Sequence, residues 1–217
     1  MLECIARMKA SHATRDVWLH FGIALAGFGL LVWIVSFPLM HQLDEASTRW
    51  LQRAAPLPDL PASVVVRLGN AELLIPAVAI VAAGLLVLSN RRSGIAGLWL
   101  VAGLVGASLL AVTLKHIIVH PGPPEYLLRS VLPGGLYIET PYSFPSGHTL
   151  RVTLLAGTAF RRSRWLGGGL VLGMMLALVY TGNHWLSDVL GALCLGWVLI
   201  EAGRVIRTAR SLNYRQD

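Results

Sequence analysis

Two histidines, one aspartate and one lysine sit where their types and spacing fit phosphate chemistry. In Tyr142-Ser-Phe-Pro-Ser-Gly-His-Thr-Leu-Arg151, a turn of Pro145, Ser146 and Gly147 delivers His148 onto a new helix. The first-turn N–H groups of a helix have no partners four residues earlier, and with the helix dipole they offer an anion site. His148 stands beside that site as a potential proton donor. Downstream, in Thr181-Gly-Asn-His-Trp-Leu-Ser-Asp188, His184 and Asp188 are four apart and share a face if the stretch is helical. A carboxylate in that place can fix the tautomer and orientation of the imidazole. Upstream, Lys115 ends a long apolar run just before His120-Pro-Gly-Pro-Pro124. A lone lysine at that depth calls for an anionic partner or a wet cavity. Three separated segments thus converge on one chemistry.

The chain resembles the type 2 phosphatidic acid phosphatase superfamily, whose motifs read KxxxxxxRP, PSGH and SRxxxxxHxxxD. PSGH is intact as Pro145 to His148, and HxxxD is His184 to Asp188. Lys115 and Pro123 fall on the first motif, but its arginine position is Gly122. The third motif's Ser-Arg pair falls on Ala177 and Leu178, so both family arginines are absent. The resemblance implies that His184 attacks phosphorus, that Asp188 orients it, and that His148 protonates the leaving oxygen, without a cofactor or metal. Lys115, with the backbone around Ser146 and Gly147, would hold the phosphate. A phosphoryl group in transfer spreads charge over its oxygens, so something should replace the missing arginines. Arg151 is the leading candidate because it follows His148 by three residues and lies one turn away on the same helical face. Arg129 is the second.

Composition sets the elements that must carry these residues. With 55% hydrophobic and 13% charged residues in 217, the chain is too apolar for an ordinary soluble domain and reads as one integral membrane domain. A net charge of +7 could point to nucleic acid, but the basic residues form short clusters between apolar runs. Such clusters mark cytoplasmic ends of membrane spans. Arg7, Lys9 and Arg15 precede a long apolar stretch without a small-residue cleavage site, so a cytoplasmic segment 1–16 leading into a retained signal anchor is expected. Cys4 and Cys194 offer no disulfide framework.

About 20 apolar residues cross the hydrocarbon core, and six runs qualify or nearly so: 17–40, 71–88, 94–118, 148–160, 165–180 and 184–206. The fourth is short. Between the first two, Asp44, Glu45, Arg49, Trp50 and Arg53 suggest an external loop with a short interfacial helix. Asn90-Arg-Arg-Ser93 closes the second span, Arg161-Arg-Ser-Arg164 the fourth, and a tail 207–217 carries Arg207, Arg210 and Arg215. The proline- and glycine-rich stretch 120–144, with Glu125, Arg129 and Glu139, reads as an extracytoplasmic loop. Gly103, Gly106 and Gly167 to Gly169 read as close helix packing. The expectation is therefore an all-α, six-transmembrane bundle, in a bacterial inner membrane, with Lys115, His148 and His184 on the extracytoplasmic side.

The functional expectation is a lipid phosphatase acting on an outer-leaflet polyprenyl diphosphate, a phosphatidate-like lipid or a lipid A phosphate. A phosphotransferase on the same scaffold, or a lipid-binding or transport protein without turnover, are the alternatives. Ser146 lacks an evident base and acid for serine hydrolysis. His116 and His120 lack the cysteine cluster or HExxH pattern of a metal site.

Overall fold

The computed structural model describes residues 2–54, 58–88, 91–132 and 140–213, with the backbone alone for 2–14 and 210–213. Asn90, Glu139 and Arg215 lie outside the described residues, as do the side chains of Cys4, Arg7, Lys9 and Arg210. Among the described residues the chain is all-helical: α1 (Leu2–Ile34), α2 (Pro38–Ala54), α3 (Asp59–Leu68), α4 (Ala71–Val87), α5 (Arg91–Ile117), a 3-10 turn (Glu125–Leu127), α6 (Gly147–Ala159), α7 (Arg164–Tyr180) and α8 (Leu186–Asn213). The described parts of the segments expected before the first span and after the last, 2–16 and 207–213, are continuations of α1 and α8.

Among the described residues three helices are long and apolar enough to cross a membrane: the Arg15–Ile34 part of α1, α5, and Leu186–Ala209 of α8. A fourth crossing arises if α3 and α4, which meet at a 56° bend, count as one. That bend falls at Gly69 and Asn70, where α3 ends and Asn70 leaves the helix in extended conformation. α7 is apolar but has 17 residues, and α6 has 13. At 1.5 Å per residue α6 extends roughly 20 Å, less than the hydrocarbon thickness.

α6 is central nevertheless. It packs against α5, α7 and α8, and every residue from Thr149 to Leu154 is buried. Leu150 and Leu154 join Leu104, Ala107 and Ala111 of α5 and Ala192 and Leu195 of α8 in one apolar cluster. Val152 joins Leu178 of α7 and Val189 of α8 in another. The approach of α6 to α8 is close, since a Cβ at Gly196 would stand 2.6 Å from Thr153 Cγ2. Among the glycines read as packing sites, Gly167 meets Ala156, whereas Gly103, Gly106, Gly168 and Gly169 have no neighbour within 4 Å of a would-be Cβ.

α2 presents its polar stripe inward. Asp44, Thr48 and Gln52, spaced by four, are buried, while Leu39, Leu43 and Trp50 are exposed. Gln52 donates to the carbonyls of Leu127 and Tyr180, both at 2.8 Å, and so ties α2 to the loop after α5 and to the end of α7.

Candidate active site

The site gathers where α6 begins, α8 begins and α5 ends. Ser146 caps α6, its Oγ accepting from the Thr149 N–H at 3.4 Å. The Ser146 N–H is donated to the Asp188 carbonyl at 3.1 Å, which locks this turn onto α8. Ser146, expected among the phosphate donors, therefore uses its own groups to hold the turn. Among the described residues the N–H groups of Gly147 and His148 have no acceptor, as the start of a helix dictates.

His184 lies on the loop just before α8, fixed by Gly182 at φ 70° and by its own N–H on the Leu178 carbonyl at 3.3 Å. Gly182 is needed there because a side chain disfavours that φ and a Cβ would run into the Leu127 carbonyl. The His184 Nδ1 meets Asp188 Oδ2 at 3.0 Å. The same oxygen accepts the Trp185 N–H at 3.0 Å, and Oδ1 accepts the Ser143 hydroxyl at 3.1 Å. An ionised carboxylate only accepts, so Nδ1 carries its proton and Nε2 is the nitrogen with a lone pair. The His148 ring stands edge-on to the His184 ring with 6.1 Å between centroids. The charges of Arg151, His184 and Lys115 all act on His148, and those of Asp188 and Arg151 act on Lys115. The residues singled out from separate segments thus share one site.

Arg151 is buried and faces inward. Its Nε and one terminal nitrogen donate to the Gly69 carbonyl at 3.0 and 2.8 Å, and the other terminal nitrogen reaches Ser108 Oγ at 3.4 Å. That nitrogen would be 3.1 Å from a Cβ at Gly147, so the guanidinium lies against the turn with the open N–H groups. Leu178, at the family's arginine position, is fully buried in the apolar cluster. Gly122, at the other, lies against Ser143. Arg129 lies over the Tyr180 ring, 5.6 Å from its centroid, and donates its backbone N–H to Thr181.

Asn70 is a site residue that sequence reasoning missed. Its Oδ1 accepts from His148 Nε2 at 2.6 Å, while its Nδ2 faces Glu72 at 3.3 Å. A Gly-Asn pair before an apolar run reads as a helix start, and nothing local announces a partner 78 residues away. Asp44 and His120 were missed as well. Asp44 accepts from the N–H and hydroxyl of Ser187, at 2.9 and 2.6 Å. Tyr142 is half-buried, and Phe144 and Trp185 are packing residues: Phe144 stacks on Phe28, and Trp185 donates to the Pro121 carbonyl at 2.8 Å. His116 is exposed and bonds to its own helix at Val112. Among the described residues no group of three or more His, Cys, Asp or Glu is placed to hold a metal ion.

Apolar helices around two facing imidazoles, one of them braced by a buried carboxylate, define an all-helical membrane protein with a histidine–aspartate site. The family model of the PAP2 superfamily matches residues 96–211, more than half of the sequence, and the chain belongs to that family. Its fold is similar to that of a transmembrane PAP2 type phosphatidylglycerolphosphate phosphatase from Bacillus subtilis, with TM-score 0.69 and 21% identity over 88% of this chain and 96% of that one. No curated protein matches.

Proposed function

We propose that this protein is an integral membrane lipid phosphatase that works through a phosphohistidine. His184 Nε2 bonds to phosphorus as the bond from phosphorus to the lipid oxygen breaks, and His148 gives that oxygen a proton. Water then attacks phosphorus, the P–N bond breaks, and the water proton passes to His148. Asp188 keeps its ionised oxygen on His184 Nδ1–H and balances the charge that the ring gains on phosphorylation. Lys115, the open N–H groups of Gly147 and His148, and the Arg151 fork hold the phosphate oxygens, with Ser146 shaping the turn. No metal or cofactor is called for in this scheme.

The observation that carries the reading is the pairing of His184, braced on Asp188 at 3.0 Å, with His148 facing it across 6.1 Å at a helix start. The substrate is a lipid carrying a terminal phosphate or diphosphate, and phosphatidylglycerolphosphate, the substrate in the relative's name, joins polyprenyl diphosphate, phosphatidate and lipid A phosphate on the panel to be tried. One membrane domain spans 1–217, with α6 and α7 completing six crossings and the site on the extracytoplasmic side of a bacterial inner membrane.

Phosphate release from that panel by purified protein, in the presence of a chelator, is the test. Protein quenched in alkali should carry a base-stable phosphate that acid releases from the wild type, and His184→Ala should lose both label and turnover while remaining folded. If His184→Ala releases phosphate at the parent rate, the mechanism is wrong.

A further inference from the structure

A second set of buried ionisable groups stands behind Asp188. Asp44, on α2, and Asp188, on α8, are both 0% exposed, and His120, in the loop after α5, is 2% exposed between them. His120 Nε2 lies 3.0 Å from Ser187 Oγ, 3.5 Å from Asp44 Oδ2 and 3.7 Å from Asp188 Oδ1. The Ser187 hydroxyl donates its hydrogen bond to Asp44, so its oxygen is left as an acceptor toward Nε2. Nε2 thus faces acceptors alone and carries a proton, and two buried carboxylates within 4 Å favour a second proton on the ring.

We propose that His120 is a buried imidazolium bridging Asp44 and Asp188, and that it is a positioning residue which keeps Asp188 ionised and aligned on His184. The inference rests on the phosphatase reading, because it assigns a part in the same site. Two buried carboxylates without a cation repel one another, and one of them takes up a proton. A protonated Asp188 can no longer balance a charged phosphohistidine. The charged groups facing His120 are Asp44 from α2 and Asp188 from α8. Val35, just after α1, brings only uncharged backbone, and the stretch before α6 contributes uncharged Ser143 and Phe144. Burial works against the cation, but the two carboxylates outweigh it and raise the His120 pKa above its ordinary value. The sign follows: the bridge is intact at acid and neutral pH and is lost as pH rises through the raised value. Asp44 lies outside the matched stretch 96–211, so the family motifs do not include this chain of groups.

The experiment compares wild type, His120→Gln and Asp44→Asn, all full length in lipid–detergent micelles, on the panel lipid turned over fastest. His120→Gln should lower kcat about tenfold, with KM within about twofold. Its alkaline limb should disappear, because the imidazole that titrates there is gone. Asp44→Asn should move the alkaline limb to lower pH, because His120 keeps one carboxylate instead of two. A His120 that only packs would lower thermal stability in both variants and leave the alkaline limb in place, which overturns the proposal. Nitrogen-15 spectra of His184→Ala protein give a readout free of activity: the signal missing from His184→Ala/His120→Gln should show two protonated ring nitrogens at neutral pH. A neutral ring there also overturns the proposal, and should His120→Gln fail to fold, Asp44→Asn and the wild-type ring signal decide. If wild type releases no phosphate from any lipid, the phosphatase reading fails, while the spectrum still reports the charge on His120.

Discussion

At the scale of single residues, the proposal that the buried arginine of α6 makes up for the loss of both family arginines can be tested by substitution. Leu178 cannot contribute charge, and an arginine there would have to displace apolar neighbours in a filled cluster. Arg151 lies against the turn at Gly147, held by the Gly69 carbonyl, with donors left for an oxyanion. Arg151→Ala should reduce kcat/KM by more than ~10-fold, the order expected from losing about 1.5 to 3 kcal/mol of charged hydrogen bonding. Arg151→Lys should recover only part of it, because an ammonium cannot span Gly69, Ser108 and a phosphate together. An Arg151→Ala protein that turns over normally in the phosphate-release assay would return the charge to Lys115 and Arg129. The residues legible in advance were those with a local signature: the turn before His148, the four-residue step from His184 to Asp188, and the lysine closing an apolar run. Asn70, Asp44 and His120 carry no such signature, since each acquires its meaning from contacts with distant segments.

At the scale of elements, the break between α3 and α4 acts as a bracket for α6. Gly69 supplies a carbonyl to Arg151, Asn70 supplies an amide oxygen to His148, and the His148 ring edge fits against Gly69 closely enough that a Cβ would be 3.1 Å from it. Gly69→Val should therefore cost turnover more than it costs the fold, because Met174, the nearest neighbour at 2.6 Å, ends in a flexible methyl while His148 does not. Asn70→Ala should slow lipids with poor leaving groups most, where proton donation by His148 matters most. Rates on a graded leaving-group series check both; an unchanged slope would detach Asn70 from the acid. α4, α5 and α7 lie within a few residues of the runs read as spans, whereas α3 has no counterpart among those runs. α2 was legible as a short helix but not in its orientation, because a polar stripe is ordinarily read as the solvated one.

For the whole molecule, family membership rests on residues 96–211, yet the site is closed by Asp44, Gly69 and Asn70 from the earlier part of the chain. Motifs in the later part therefore name the chemistry without describing the enclosure. The proposed orientation has a direct check. With both native cysteines replaced, a cysteine at Tyr126 should react with a membrane-impermeant thiol reagent applied to intact cells, and one at Arg162 should react only after lysis. The reverse pattern would turn the molecule over and place its substrate in the inner leaflet.

The inward polar stripe of α2 gives the surrounding lipid a thermodynamic role. Asp44, Thr48 and Gln52 find protein partners or shelter inside, whereas Leu39, Leu43 and Trp50 gain most from an apolar medium outside. Transfer to water would reverse both preferences at once and favour rotating the helix about its axis, carrying Asp44 away from Ser187 and His120. Bilayer and site are then thermodynamically linked: whatever strengthens solvation of one face of α2 strengthens the hold of the other on Ser187 and His120, and under the proposed function delipidation should lower turnover.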